Sequence, residues 1–128
     1  MSERPNNYKP PESREEFLQR YTSGERSFPD TDLSDVDLSG VTLDGASFEK
    51  WSWFSSTIFD RASLRGTSFR ECHVKCADFR HADLTGASFE LAAVEATDFH
   101  GATLDGVSFV GATAYGYTIQ HGDPLPPH

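Results

Sequence analysis

The residues with the widest chemical repertoire lie together in the segment Cys72-His73-Val74-Lys75-Cys76. Thiolates and imidazoles are ligands that zinc prefers, but a structural zinc site takes about four of them. This segment falls short of that number, and the other histidines are scattered along the chain. We therefore expect no metal ion and no cofactor. The repeat pattern of the chain turns Cys72 inward and places Cys76 on an outward corner, so no disulfide between them is expected either.

Hydroxyl groups recur at regular intervals, at Ser47, Ser68, Ser88 and Ser108. A catalytic serine needs a neighbouring base and a further group that orients the base. Serines repeated every 20 or 21 residues favour hydrogen bonds along a stack of equivalent segments instead. No glycine-rich phosphate loop precedes a helix either, so we expect that the protein is not an enzyme.

The elements that position these residues follow a five-residue period. Apolar residues recur at every fifth place, at Phe59, Leu64, Phe69, Val74, Phe79, Leu84, Phe89, Val94, Phe99, Leu104, Phe109, Ala114 and Ile119. Neither a helix nor an ordinary strand has this period, so the pattern indicates a repeat architecture. A second period of 20 predicts columns of like residues, one of them formed by Phe59, Phe79, Phe99 and Ile119.

An earlier set of repeats is out of step with the later one by a single residue. The earlier set contains Phe28, Leu33, Leu38, Leu43 and Phe48. Eleven residues separate Phe48 from Phe59, where two units need ten. An insertion near Trp51-Ser52-Trp53-Phe54 is therefore predicted, with either Trp53 or Phe54 in the inward position. We expect the coil to continue through a bulge there.

The repeated unit, as in Ala82-Asp83-Leu84-Thr85-Gly86, resembles that of pentapeptide-repeat proteins, and the resemblance covers roughly residues 28–121. It implies an all-β fold, a right-handed quadrilateral β-helix solenoid of about four to five coils with four pentapeptides in each. Some members of this family mimic the shape and charge of duplex DNA, bind DNA gyrase and alter quinolone sensitivity. The resemblance therefore implies a scaffold protein, with binding of DNA gyrase as one specific function.

The two ends of the chain are built differently from the repeats. Ser13 and Glu16 fit the capping box of a short α-helix, which we expect to cap the first coil. The predicted division is a mobile N-terminal tail at 1–11, a capping helix and connection at 12–27, the β-helix at 28–121 and a C-terminal tail at 122–128. Tyr115, Tyr117 and Ile119 are expected to cover the last coil. Because no second large cap is visible, the C-terminal coil could join two chains as a homodimer.

The charge distribution limits the classes of partner that we expect the protein to bind. The net charge is −9, and no lysine or arginine follows Arg80. Direct nucleic-acid binding is not expected, because phosphate binding needs a basic surface. No apolar run is long enough to span a membrane, and we expect a cytoplasmic protein with no membrane partner. The acids beyond Arg80 form a candidate acidic face made of Asp83, Glu90, Glu95, Asp98 and Asp105.

The least repeat-like residues, Trp51, Trp53 and Phe54, form a candidate protein-binding patch. The alternative is that these side chains fold over the bulge and fill it. We expect a non-catalytic scaffold that acts as a structural module or binds a protein not identified by the sequence. The alternative function is an acidic DNA mimic that binds DNA gyrase or topoisomerase IV.

Overall fold

Parallel β-bridges between successive coils organise most of the chain. The computed structural model describes residues 8–120 and residue 123. One residue in every five pairs with a residue 20 positions away, as Ser63 does with Asp83, or 21 positions away across the insertion, as Asp32 does with Trp53. Four pentapeptides therefore make one turn of the coil.

Backbone hydrogen bonds repeat in each unit. The amide of the inward residue Leu64 donates to the Asp83 carbonyl on the next coil (2.8 Å), and the amide of Ser63 donates to the Val41 carbonyl on the previous coil (2.8 Å). The amide of Ala62 closes the preceding corner by donating to the Phe59 carbonyl (3.0 Å). Each coil is thus held to both of its neighbours.

Corners between sides place one residue in the left-handed region of φ. Non-glycine residues occur there, such as His81 at φ 59°. Gly101, at φ 70°, also makes a close approach, since a Cβ atom at this position would lie 2.5 Å from Cδ2 of His81. A larger residue at position 101 would therefore force the His81 ring to move.

The interior is a set of stacked side chains. The rings of Phe69, Phe89 and Phe109 lie parallel at centroid distances of 5.0 and 5.2 Å. Phe79 meets Phe89 edge to face across the interior at 5.4 Å. This arrangement follows the predicted 20-residue columns.

The outward residues form four columns, which we call sides 1 to 4. Side 1 presents Asp37, Ile58, Asp78 and Asp98; side 2 presents Thr42, Ser63, Asp83 and Thr103; side 3 presents Ser27, Ser47, Ser68, Ser88 and Ser108; side 4 presents Asp32, Trp53, His73, Ala93 and Thr113. A corner of two residues, or three at the insertion, connects each side to the next.

The inserted residue is absorbed at the corner between sides 3 and 4. Lys50 and Trp51 both have a left-handed backbone, with φ of 73° and 78°. Phe54 then takes the inward position and is completely buried, with its ring 4.8 Å from that of Phe48. The assignment of Phe54 to an exposed patch is therefore wrong, because Phe54 takes the regular inward position of side 4, five residues before Phe59.

Helix α1 spans Arg14–Thr22 and begins at the predicted cap, where Oγ of Ser13 accepts a hydrogen bond from the Glu16 amide (3.1 Å). Phe17 is completely buried, and its ring lies 4.8 Å from that of Phe28 on the first coil. In the described part of the chain, no helix is long and apolar enough to cross a membrane.

The end of the predicted N-terminal tail lies against α1. The Arg20 guanidinium donates to the Lys9 carbonyl (2.7 Å), the Tyr8 hydroxyl donates to Glu25 (3.0 Å), and Pro11 is buried. The rest of that tail, residues 1–7, lies outside the described residues. Of the predicted C-terminal tail, residue 123 alone is described.

The chain reverses where the last coil was expected to continue. Strand β1 (Thr113–Ala114) pairs antiparallel with strand β2 (Tyr117–Thr118). Left-handed φ values at Tyr115 (54°) and Gly116 (79°) form the two-residue turn between them.

This reversal corrects two expectations. The side chains of Tyr115 and Tyr117 do not pack over the last coil, since these residues are 62% and 53% exposed, whereas the Tyr117 backbone pairs with Ala114. Ile119 is buried, but its amide donates to the Ala112 carbonyl (2.8 Å), so Ile119 does not continue the column above Phe99. Strand β2 covers the end of side 4.

Among the described residues, no strand pairs with the ends of the other three sides. Phe99, Leu104 and Phe109 are half-buried, whereas Phe79, Leu84 and Phe89 one coil earlier are completely buried. Within the described residues, the amides of Phe99, Leu104 and Phe109 donate no hydrogen bond. The C-terminal coil thus presents backbone donors and apolar side chains at its end.

We expect Phe89→Ala to lower the free energy of unfolding by about 3 to 5 kcal/mol, because it empties a site that Phe69 and Phe109 cannot fill. Urea denaturation followed by circular dichroism measures the change. The control is Leu91→Ala on the neighbouring corner, where the side chain is half exposed and we expect a loss below about 1 kcal/mol. Equal losses in the two variants would contradict the inward assignment of Phe89.

Candidate protein-binding surface

Trp53 stacks on His73 on side 4. The two rings are nearly parallel, at an interplanar angle of 8°, and their centroids are 3.9 Å apart. The contact arises because the two residues pair across adjacent coils, which lie about 4.8 Å apart. The Trp53 side chain is nevertheless 44% exposed, so stacking orients the indole without covering it.

Trp51 and Leu91 are exposed apolar residues on the adjoining corner, two coils apart, with Glu71 on the coil between them. Trp51 is 39% exposed, and Leu91 is 50% exposed. Leu91 leans over Gly111, where a Cβ atom would lie 2.6 Å from its Cδ2 atom. We call Trp51, Trp53, His73 and Leu91 the aromatic surface.

The aromatic surface differs in part from the predicted patch. Trp51 and Trp53 are exposed as expected, whereas Phe54 belongs to the core. His73 and Leu91 were not predicted. The 20-residue period places His73 directly above Trp53 and could have identified that residue. Binding of a protein by this surface stays a prediction.

The five residues of the candidate acidic face surround the coil. Asp98 lies on side 1 and Asp83 on side 2. Asp105, Glu90 and Glu95 lie on the three corners that follow sides 2, 3 and 4. These carboxylates therefore do not form one face.

Three of these acids have a basic neighbour on the preceding coil. Glu95 lies 3.5 Å from Nζ of Lys75, Asp83 lies 3.6 Å from the Arg65 guanidinium, and Glu90 lies 4.0 Å from that of Arg70. Exposed pairs of this kind contribute about 0 to 1 kcal/mol each. Their larger effect is to reduce the local negative potential.

Asp83 is also bonded within its own unit. Its Oδ1 atom accepts hydrogen bonds from the Thr85 hydroxyl (2.6 Å) and the Thr85 amide (3.1 Å). These bonds lower the pKa of Asp83 below its usual value, so the carboxylate is ionised at neutral pH. Such bonds stabilise the corner that follows side 2.

The thiols occupy opposite environments, as the register predicts. Cys72 is buried, and its Sγ atom donates to the Phe48 carbonyl (2.9 Å), as the Thr67 hydroxyl does to Leu43 (3.0 Å). Burial raises the pKa of Cys72 to about 12, so this thiol is not a nucleophile at neutral pH. Cys76 is exposed on a corner, and both cysteines are free.

A different corner places the His81 ring beside a partly buried carboxylate, Asp60. One oxygen of Asp60 is buried without a hydrogen-bond partner, and Nδ1 of His81 lies 3.5 Å from it. Among residues 8–120 and 123, no group of three or more histidine, cysteine or acidic side chains could hold a metal ion.

We expect the emission of Trp53 to report the protonation of His73. Burial, followed by the charge of Lys75, lowers the pKa of His73 below its usual value of about 6.5. In a Trp51→Phe variant, acidification should change Trp53 emission with a midpoint below about pH 6.5, because a charge then forms against the indole. The unfolded chain takes up this proton first, so the contribution of neutral His73 to stability is lost as the pH falls below that value.

The control for this titration adds His73→Gln to Trp51→Phe, which removes the titrating ring and should abolish the transition. A midpoint above about pH 6.5 in the parent variant would contradict the effect of burial on His73.

Comparisons with known proteins agree with this architecture. Two family models described as pentapeptide repeats match residues 27–50 and 59–103, which together make up more than half of the chain. A search of curated proteins gave no match.

Several solved structures are similar. A pentapeptide repeat protein from Nostoc PCC 7120 has a TM-score of 0.68 and 25% identity, over 92% of this chain and 93% of that one. A trypsin-treated form of QnrB1, a plasmid-mediated fluoroquinolone resistance protein, has a TM-score of 0.56 and 27% identity, over 70% of this chain and 43% of QnrB1. A pentapeptide repeat protein from the Arabidopsis thaliana thylakoid lumen is 32% identical, over 64% of this chain and 67% of that one, with a TM-score of 0.45.

The resemblance expected from the sequence is thus confirmed by the matching repeat models and by the similarity to solved structures. The chain belongs to the pentapeptide-repeat family.

Proposed function

We propose that the chain is a non-catalytic scaffold that binds a partner protein through the aromatic surface. In this proposal the scaffold is a right-handed quadrilateral β-helix of about four to five coils, closed at its N-terminal end by α1. The exposure of Trp53 supports the binding role. Phe54 already takes the inward position of this side and is completely buried, so packing of the core does not account for the two exposed tryptophans beside it.

The surroundings of the aromatic surface favour tight contact. Trp53 is oriented by the ring of His73. Its backbone is bonded to the preceding coil, where its amide donates to the Thr31 carbonyl (2.8 Å) and its carbonyl accepts from the Leu33 amide (2.9 Å). A rigid aromatic side chain loses little conformational entropy on binding. Tryptophan is also enriched among the residues that contribute most to interface affinity.

The regular hydroxyls support the absence of catalysis in this proposal. On side 3, Ser68 donates to Glu49 (3.0 Å), and Ser108 donates to Glu90 (2.7 Å). The same pairing on separate coils fits a structural ladder better than one assembled nucleophile.

Affinity capture tests the proposal. The full chain is immobilised, exposed to lysate of its own organism at low salt, and the retained proteins are identified by mass spectrometry. We expect a protein that the native chain retains and the Trp51→Ser/Trp53→Ser variant loses. The matched control is Ile58→Ser, which removes an exposed apolar side chain from side 1 and should retain that protein.

Circular dichroism and urea denaturation of all three proteins exclude a loss caused by unfolding. If the folded double variant retains the same proteins as the native chain, the aromatic surface is not the binding site.

A second candidate function is an acidic DNA mimic that binds DNA gyrase or topoisomerase IV. The similarity to QnrB1, a fluoroquinolone resistance protein, and the net charge of −9 favour it. The DNA-mimic function is less well supported by the ion pairs with the preceding coil, which reduce the negative potential around Asp83, Glu90 and Glu95.

A DNA mimic of useful length would need two chains. At about 4.8 Å per coil, one chain forms a rod of only about 20 Å. We propose that the edge formed by Phe99, Leu104 and Phe109 pairs with its copy in a second chain. Such a homodimer would provide acceptors for the amides of the edge and would place the acid-rich coils at its centre.

The two parts of this second proposal are tested together. Light scattering should give the mass of a dimer for the native chain and of a monomer for Phe109→Asp, with circular dichroism confirming that both are folded. Native protein should inhibit DNA supercoiling by gyrase, more weakly as salt rises, and Phe109→Asp should not. A native monomer, or a dimer without effect on gyrase or topoisomerase IV, would contradict the mimic.

A further inference from the structure

The N-terminal neighbour of Trp53 on side 4 is an aspartate. Asp32 pairs with Trp53 across adjacent coils, and Asp35 lies on the next corner of the same coil. One oxygen of Asp32 accepts a hydrogen bond from the Ser34 amide (3.0 Å). Neither Asp32 nor Asp35 has a basic group within salt-bridge distance in the part of the chain that the structure describes, unlike Glu95 beside Lys75.

The column order leaves one ring face of Trp53 without an aromatic neighbour. His73 covers the face toward the C-terminal end, and Asp32 lies on the opposite side. An exposed indole face of this kind can bind a cation. Elsewhere the chain makes such a contact, with Cζ of Arg26 only 3.8 Å from the ring centroid of Tyr21.

An indole beside a carboxylate suits a planar cation. A guanidinium can stack on the ring and donate hydrogen bonds to the acid at the same time, whereas an ammonium group lacks the planar shape. His73 does not oppose this arrangement at neutral pH, because its lowered pKa keeps the ring uncharged. Lys75, the basic residue near His73, lies 3.5 Å from Glu95.

We propose that the aromatic surface binds an arginine-bearing segment of a partner protein, with the guanidinium stacked on Trp53 and hydrogen-bonded to Asp32. This inference rests on the proposed function and specifies the chemistry of the partner. The net charge of −9 favours approach of a basic segment. Trp51 and Leu91 provide apolar contact area for the residues that flank the arginine.

A labelled synthetic peptide tests the inference without knowledge of the natural partner. Fluorescence anisotropy measures the affinity of an octapeptide of alternating glycine and arginine for the native full-length chain at low salt. The same peptide with citrulline in place of arginine keeps the shape without the charge. A lysine version tests the preference for a planar cation. We expect the arginine peptide to bind more tightly than both.

Two variants locate the binding site. We expect Trp53→Ala and Asp32→Asn each to weaken binding of the arginine peptide by about five- to tenfold, the effect of losing a cation–π contact or a charged hydrogen bond. The matched controls are Ile58→Ala on side 1 and Asp105→Asn on a distant corner. We expect less than a twofold change for either.

Three results would overturn the inference: no binding of the arginine peptide, equal binding of the citrulline peptide, or equal weakening by Asp105→Asn and Asp32→Asn. Affinity capture separates these failures from failure of the proposed function. If a partner is lost with the two tryptophans while the arginine peptide does not bind, the scaffold function stands and the arginine chemistry is wrong. If neither test succeeds, both are wrong.

Discussion

Stacking of equivalent inward side chains on successive coils is the interaction on which the rest of the structure depends. Phe69, Phe89 and Phe109 stack at about the spacing of the coils, with centroids 5.0 and 5.2 Å apart. That match brings the amide of Leu64 within 2.8 Å of the Asp83 carbonyl and repeats the geometry around the coil. Because each coil buries its apolar residues against its neighbours, a thin interior is sufficient for a chain of this length.

The constraint explains why one inserted residue has large consequences. A shift of register would remove every later side chain from its column, so the insertion must be absorbed within one corner. Lys50 and Trp51 absorb it with left-handed φ values, and Phe54 restores the inward column. The residues left outside are Trp51 and Trp53. The insertion thus coincides with two exposed tryptophans at and beside one corner of the coil.

The sequence predicts the columns because the five- and 20-residue periods are nearly unbroken, but it does not settle the irregular positions. Trp53 and Phe54 are both apolar, and only packing against Phe48 shows which one is inward. Tyr115 and Gly116 reverse the chain because both take left-handed φ values. A tyrosine rarely adopts this conformation, so the sequence does not predict the turn. The acids beyond Arg80 looked like one face when read along the chain, whereas the four-sided register separates Asp83 from Asp98.

The same register favours recognition through local contacts over recognition through the overall charge of the surface. Acids on successive corners point in different directions, and Lys75 and Arg70 on the coil below neutralise Glu95 and Glu90 in part. A partner attracted by the total charge of the protein would therefore meet a weak negative potential on any one side. At physiological salt this potential is screened over a distance of about 8 Å. Trp53 combines an oriented ring with a carboxylate on the adjoining coil, in a position defined by backbone hydrogen bonds. Local contact of this kind keeps its strength where screening removes long-range attraction, so side 4 is the stronger candidate for binding.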